Sequence, residues 1–239
     1  MSKKKHNGNE NENENRNGKE TQVKGKYTKT RIAITARSDN QKKLLLSIKE
    51  NLVTIVAGPP GSGKTLLAVV SALREFIMGK YDKMIFTRPC VEANGENLGF
   101  LPGDLNEKIH PYMYPIFDFL SDYLTSKQIE TYLKSEDIQT FPLAFMRGCT
   151  FRNSFVLLDE AQNTRPEQIR MFLTRIGENC KVVITGDPLQ SDIREKNGLV
   201  DACERLEGVK NLGIVKFLKE DIIRNPIVTD IEDRYIEEK

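Results

Sequence analysis

Eight consecutive residues have the types and spacing needed to hold a chain of phosphates. Gly58, Pro59, Pro60, Gly61, Ser62, Gly63, Lys64 and Thr65 fit the pattern G-x-x-x-x-G-K-[ST]. Glycines let successive backbone N–H groups converge on phosphate oxygens where a helix begins, and the helix N-terminus favours negative charge. In such a loop the Lys64 amine reaches the β- and γ-phosphates, and the Thr65 hydroxyl takes a place in the shell of a bound Mg²⁺. The expected ligand is therefore Mg-ATP.

A second group follows the apolar run Phe155–Leu158, where Asp159, Glu160, Ala161 and Gln162 stand in sequence. A carboxylate at the carboxyl edge of a buried strand lies beside the phosphate loop in an open α/β sheet. Asp159 is the expected Mg²⁺ partner, and Glu160 the group that orients and polarises water for attack on the γ-phosphate. A third group, Gly186-Asp187-Pro188-Leu189-Gln190, follows another apolar run and forms a turn that presents Asp187 and Gln190 at the same edge.

These residues need strands and helices to carry them. Candidate strands are Leu52–Ala57, Met84–Thr87, Phe155–Leu158, Lys181–Thr185 and Ile214–Leu218. Their apolar residues run continuously rather than alternating, which points to strands buried on both faces in a parallel sheet. Helical patterns occupy about Asp39–Glu50, Lys64–Met78, Asp104–Leu133 (broken near Pro111 and Pro115), Arg165–Ile176 and Gly198–Leu206. Thr164-Arg-Pro-Glu167 reads as a helix start with Thr164 as the capping hydroxyl. The expected fold is α/β: a RecA-like, doubly wound, mostly parallel sheet with helices on both faces.

The rest of the composition excludes other chemistries. Cys90, Cys149, Cys180 and Cys203 are far apart with no C-x-x-C pair, and His6 and His110 are the only histidines, so no zinc ribbon or histidine-based triad is expected. No apolar run suits a membrane span, and the first residues are not those of a signal peptide, so a cytoplasmic location is expected. Net charge is only +2, but the first 31 residues hold nine Lys/Arg against four Glu. That segment, with its Asn/Glu repeat, has almost nothing to bury and reads as a disordered tail at 1–31, followed by a single domain at 32–239.

The longer strings take the likeness further. Thr87-Arg88-Pro89, Leu101–Lys108, Pro142–Gly148, Leu158–Asn163, Met171–Gly177 and Asp221–Arg224 are similar to the ATPase core of the PhoH-like family, from about Asn40 to Tyr235. The ordered set of loop, Asp-Glu-Ala-Gln and Gly-Asp-x-x-Gln also resembles superfamily 1 helicases, where a Gln in the position of Gln190 senses the γ-phosphate. The resemblance implies an ATP-hydrolysing protein of bacteria or their viruses that acts on single-stranded nucleic acid, RNA before DNA, as an RNA helicase. It further implies that Gln41 reads the adenine edge and that Arg224 stabilises transition-state charge, in cis or from a neighbouring subunit.

Arg88 and Arg147 are the expected nucleic-acid contacts, or else structural arginines paired with carboxylates. Cys149 and Asn225 depart from the family's usual residues. With one such domain, a translocase is expected to be a homo-oligomer such as a hexameric ring. No nuclease domain is expected. Two other functions fit the motifs less well: a nucleotide-dependent switch that moves no strand, and a P-loop nucleoside kinase.

Overall fold

The computed structural model describes residues 32–89, 105–193 and 196–223, with two further positions at Ile227 and Arg234. Residues 1–31, 90–104, 194–195 and 224–226 lie outside them, and with them the expected tail, Cys90 and Arg224. Six strands form one sheet: β1 (Val53–Ala57), β2 (Lys83–Arg88), β3 (Ile138–Pro142), β4 (Ser154–Leu158), β5 (Cys180–Gly186) and β6 (Leu212–Lys216). Their spatial order is β3-β2-β4-β5-β1-β6, and every pairing is parallel. This is the RecA-like doubly wound α/β architecture that the apolar runs imply.

Parallel strands need a crossover to return to the starting edge, and here helices supply most of the crossovers. On one face lie α1 (Asp39–Glu50), α2 (Lys64–Ile77), α3 (Leu105–Ser121) and α4 (Ser126–Lys134); on the other lie α5 (Pro166–Leu173) and α6 (Gly198–Arg205). The pleat sorts the core between these layers, because successive side chains point to opposite faces. Along β2, Met84 and Phe86 join the α1–α4 side while Ile85 joins the α5–α6 side; along β4, Phe155 and Leu157 separate in the same way from Val156 and Leu158. Double-sided burial explains why these strands read as unbroken apolar runs.

The helix leaving β1 covers one face and the helix that follows its neighbour β5 covers the other. A crevice opens where adjacent strands send their chains to opposite faces, and ligands of open α/β sheets bind there. The loop Gly58–Thr65 and the turn Gly186–Gln190 flank that crevice.

Three expectations are corrected. The sheet has a sixth strand, β3, whose sequence Ile-Gln-Thr-Phe-Pro mixes polar and apolar residues because it is an edge strand paired only with β2. Pro111 and Pro115 sit inside α3 and do not break it. Met113, Ile116 and Leu120 are all fully buried, and their packing outweighs the missing N–H donors. The chain breaks instead at Ser121–Thr125, where the Thr125 hydroxyl and the Gln128 side chain form the capping box that starts α4. Finally, the cap of α5 is Arg165, not Thr164, whose hydroxyl donates to Ala161 O at 2.6 Å and closes the preceding 3₁₀ turn.

Helix α1 is tied to the far end of the described chain. Ser38 Oγ caps it by accepting from Gln41 N, and itself donates to Asp221 Oδ1 at 2.6 Å, while Asn40 Nδ2 donates to Asp221 Oδ2 at 2.8 Å. Burial raises the pKa of Asp221, yet the donors Leu218 N–H, Ser38 and Asn40 together hold it below the usual carboxylate value.

Two stability tests follow from this packing. Leu157→Ala, in the fully buried centre of β4, should lower the unfolding free energy by about 2–5 kcal/mol in urea titrations, whereas Leu189→Ala on the surface should change it by less than about 0.5 kcal/mol. Asp221→Asn should destabilise the protein near neutral pH. Because the native carboxyl titrates below its unfolded value, the wild type loses this advantage as pH falls through the acid range, and the two melting curves should converge there.

Candidate active site

The phosphate loop is shaped by close approaches as much as by flexibility. A Cβ on Gly58 would lie 2.5 Å from Phe217 Cβ and 2.8 Å from Phe217 O, so only glycine lets the end of β1 pass beside the chain leaving β6. Gly63 has φ 85° and caps α2, whose first-turn N–H groups point along the helix axis toward the crevice. A Cβ on Gly63 would also press on Gln41 Nε2 at 3.0 Å. The Lys64 amine lies back on the loop, donating to Pro59 O at 2.6 Å and to Ser62 Oγ at 3.3 Å.

Asp159 is the centre of the arrangement. It is 1% exposed at the end of β4, and a carboxylate so buried requires donors on both oxygens. Thr65 Oγ1 donates to its Oδ1 at 2.8 Å, and the Thr185 hydroxyl donates to the same oxygen. Arg88 takes the other oxygen: its Nε donates to Oδ2 at 3.0 Å, its Nη2 also bonds there, and its Nη1 donates to Tyr112 O at 2.9 Å. Arg88 Nη2 is also 4.0 Å from Glu160 Oε1. Of the two readings of Arg88, the structure places it as a buried partner of a carboxylate, its side chain 12% exposed.

The donor set fits Mg²⁺. Mg²⁺ demands octahedral oxygen ligands at about 2.0–2.1 Å, which places neighbouring ligands about 2.9 Å apart. The 2.8 Å between Thr65 Oγ1 and Asp159 Oδ1 matches such an edge, and one carboxylate plus a hydroxyl leaves positions for phosphate and water. Among the described residues no group of three or more His, Cys, Asp or Glu gathers to form an all-protein metal cage.

Glu160 adopts φ 57° and ψ 38°, a left-handed conformation that is strained for a residue with a Cβ. The strain turns its carboxylate away from the sheet, leaving the side chain 47% exposed at the crevice. Gln162, which is 2% exposed, holds it there. Its Nε2 donates to Glu160 Oε2 at 2.5 Å, while its Oε1 accepts from Asp187 N at 3.0 Å.

The turn after β5 is latched to the same segment. Asn163 Nδ2 donates to Asp192 Oδ2 at 3.1 Å, Asp192 N donates to Asn163 Oδ1 at 2.8 Å, and Ser191 Oγ donates to Gln162 O at 3.1 Å. Asp187 is buried and accepts from Leu189 N at 3.0 Å, a bond that shapes the turn.

One cavity of about 660 Å³ holds Gln41, Lys64, Thr65, Arg88, Asp159, Glu160, Asp187 and Gln190 on its walls. Gln41 is buried, its Nε2 donating to Ser62 O at 2.9 Å and its Oε1 accepting from Arg37 N at 2.7 Å. Its amide therefore braces the phosphate loop from behind. Gln190 is exposed on the turn, and Arg147 is exposed after β3 and outside this cavity. Sequence reasoning named Gln162 within the Asp-Glu-Ala-Gln motif without giving it a role and passed over Thr185; these two residues bind the three motifs together.

No helix among the described residues is long and apolar enough to cross a membrane. The chain is 43% identical over 205 residues to the PhoH-like protein of Bacillus subtilis, covering 85% of this chain and 64% of that one. It is 41% identical over 198 residues to Protein PhoH of Escherichia coli K12, covering 81% and 56%. It thus spans about three-fifths of the length of these curated relatives. Among solved structures it is similar to the large terminase of a thermophilic bacteriophage, with TM-score 0.47, 14% identity, and coverage of 83% of this chain and 49% of that one. It is also similar to Bacteroides Pif1 bound to ssDNA, with TM-score 0.37, 19% identity, and coverage of 82% and 45%. Since the PhoH-like family model matches residues 33–236, nearly the whole of the described sheet and helices, the chain belongs to the PhoH-like protein family.

Proposed function

We propose that the protein hydrolyses Mg-ATP at this crevice and couples hydrolysis to single-stranded nucleic acid, RNA before DNA. The observation that carries the reading is the single cavity that joins the loop, the Thr65–Asp159 pair and the outward-turned Glu160. Residues 32–239 act as one ATPase domain and 1–31 as a tail. Thr65 and Asp159 hold Mg²⁺, which when bound neutralises charge on the β- and γ-phosphate oxygens.

The chain's own groups carry the steps. Gly58 to Thr65 cradle the phosphates through backbone N–H groups, and Lys64 leaves Pro59 O to meet the charge that develops as the bond between the β–γ bridging oxygen and the γ-phosphorus breaks. Glu160 takes a proton from the water whose oxygen forms the new bond to phosphorus. A carboxylate poised on water rather than an acceptor alcohol favours hydrolysis over transfer to a nucleoside. Gln162 keeps Glu160 aimed and reports its state to the turn that bears Gln190. Arg224 stabilises the charge of the transition state, from its own chain or from a neighbouring subunit. Assembly into a ring, hexameric in the simplest case, would let one domain per chain hold a strand continuously.

Steady-state phosphate release tests the reading. Wild type should turn over Mg-ATP and accelerate several-fold with single-stranded RNA, and Lys64→Ala and Glu160→Gln should each lose about 100-fold or more in kcat. Hydrolysis indifferent to RNA and to single-stranded DNA would discard the nucleic-acid coupling. Gln162→Glu gives a sharper check on positioning: a second carboxyl sharing a site with Glu160 favours retention of a proton, so the acidic limb of the kcat–pH profile should move upward. Gln162→Leu should lower kcat and, by removing only a donor to the ionised carboxylate, move that limb upward by less than Gln162→Glu does.

A further inference from the structure

A second cavity, of about 370 Å³, lies over β2 and β3 on the α5–α6 face of the sheet, between these strands and the chain that follows β3. Its size falls at the lower end of small-molecule sites, which run from about 300 to 1,000 Å³. One wall is Phe141, which remains 37% exposed although it is a large apolar side chain. Gln139 shares its face of the strand, because side chains two apart on a strand point the same way. Lys83 and Arg152 complete the rim, and none of Gln139, Lys83 and Arg152 makes a side-chain hydrogen bond among the described residues.

The charge around it is one-sided. From Ile138 to Asn153 the chain contains Arg147 and Arg152 and no Asp or Glu. The 3₁₀ turn Leu143–Met146 buries Leu143 and Met146 and leaves Phe145 54% exposed, with Arg147 exposed two residues on. Met146 and Cys149 of this segment line the cavity. Asp82 is the one carboxylate at the rim, and it suits an exocyclic amine rather than a phosphate.

We propose that this cavity is a base pocket on a single-stranded nucleic-acid track: one base stacks on Phe141 with its edge against the Gln139 amide, while Arg147, Arg152 and Lys83 meet the flanking phosphates. The inference rests on the nucleic-acid reading above and assigns it a place away from the ATP crevice. An aromatic wall, an amide with both donor and acceptor capacity, and flanking cations are the groups that bind unpaired bases with their backbone. A protein partner would find no apolar continuity across the lysine and arginines.

The chain has no tryptophan, so Phe141→Trp places a single reporter in the pocket. In the full-length protein its emission should be quenched by an oligoadenylate RNA of about 12 nucleotides, within the span a strand-binding groove covers. Phe141→Ala should weaken RNA binding by about tenfold in fluorescence anisotropy, with Phe141→Tyr restoring it. Arg147→Ala with Arg152→Ala should flatten the slope of log affinity against log salt by about 1.4, two phosphates at about 0.7 each. Both arginines are exposed, so this pair remains informative if Phe141→Ala fails to fold. RNA binding within twofold of wild type in these variants would overturn the pocket and leave the nucleic-acid reading standing. A wild type that binds neither RNA nor single-stranded DNA would overturn both. Unchanged RNA affinity with loss of self-association in sedimentation would make the face an interface between copies, and would also overturn the proposal.

Discussion

A carboxylate buried at the end of a central strand in an apolar sheet is stable only if donors surround it, and Asp159 meets that constraint with donors drawn from three separate places in the chain. Thr65 comes from the first turn of α2, Thr185 from the end of β5, Arg88 from the end of β2 with an anchor on Tyr112 O of α3. Each donor reaches Asp159 only if its strand or helix is in register. β1 and β5 pair Ala57 with Gly186, and β2 and β4 pair Thr87 with Leu158. The site and the sheet are thus held by the same interactions, and a slip of one residue would turn every one of these side chains to the wrong face.

The neighbouring Glu160 shows the opposite strategy. It is not buried but strained, in a left-handed conformation that glycine would adopt without penalty. The strain is sustained because Gln162 is locked between the Glu160 carboxylate and the Asp187 N–H, and a Cβ on Gly186 would stand 2.6 Å from Gln162 Oε1. The smallness of Gly186 is what admits the Gln162 side chain. Loop, acidic pair and turn are therefore joined by one hydrogen-bonded network. This is the physical route by which the state of a phosphate at the crevice would reach the surface around Gln190.

Arg88 joins these two halves to the far edge of the sheet. Its guanidinium pairs with Asp159 and approaches Glu160, while β2, the strand that carries it, also pairs with β3, the strand of Phe141 and Gln139. A displacement of β2 would be felt at both. The edge position of β3 leaves one face of Phe141 to solvent, which is why a strand of mixed sequence can border a cavity at all.

Much was legible before any coordinates. The loop Gly58–Thr65, the carboxylates after Phe155–Leu158, the parallel α/β architecture and helix α1 to its ends could be read because they rest on local spacing and on continuous apolar runs, and both are properties of short segments. What the tertiary structure decided depends on residues distant in sequence. Arg88 turned inward to Asp159 across 71 positions, and Gln41 became a brace for the phosphate loop. α3 kept its prolines because packing outweighed propensity, and β3 appeared because β2 offered it an edge. Local patterns specify which elements form; only burial and register decide which side chains meet.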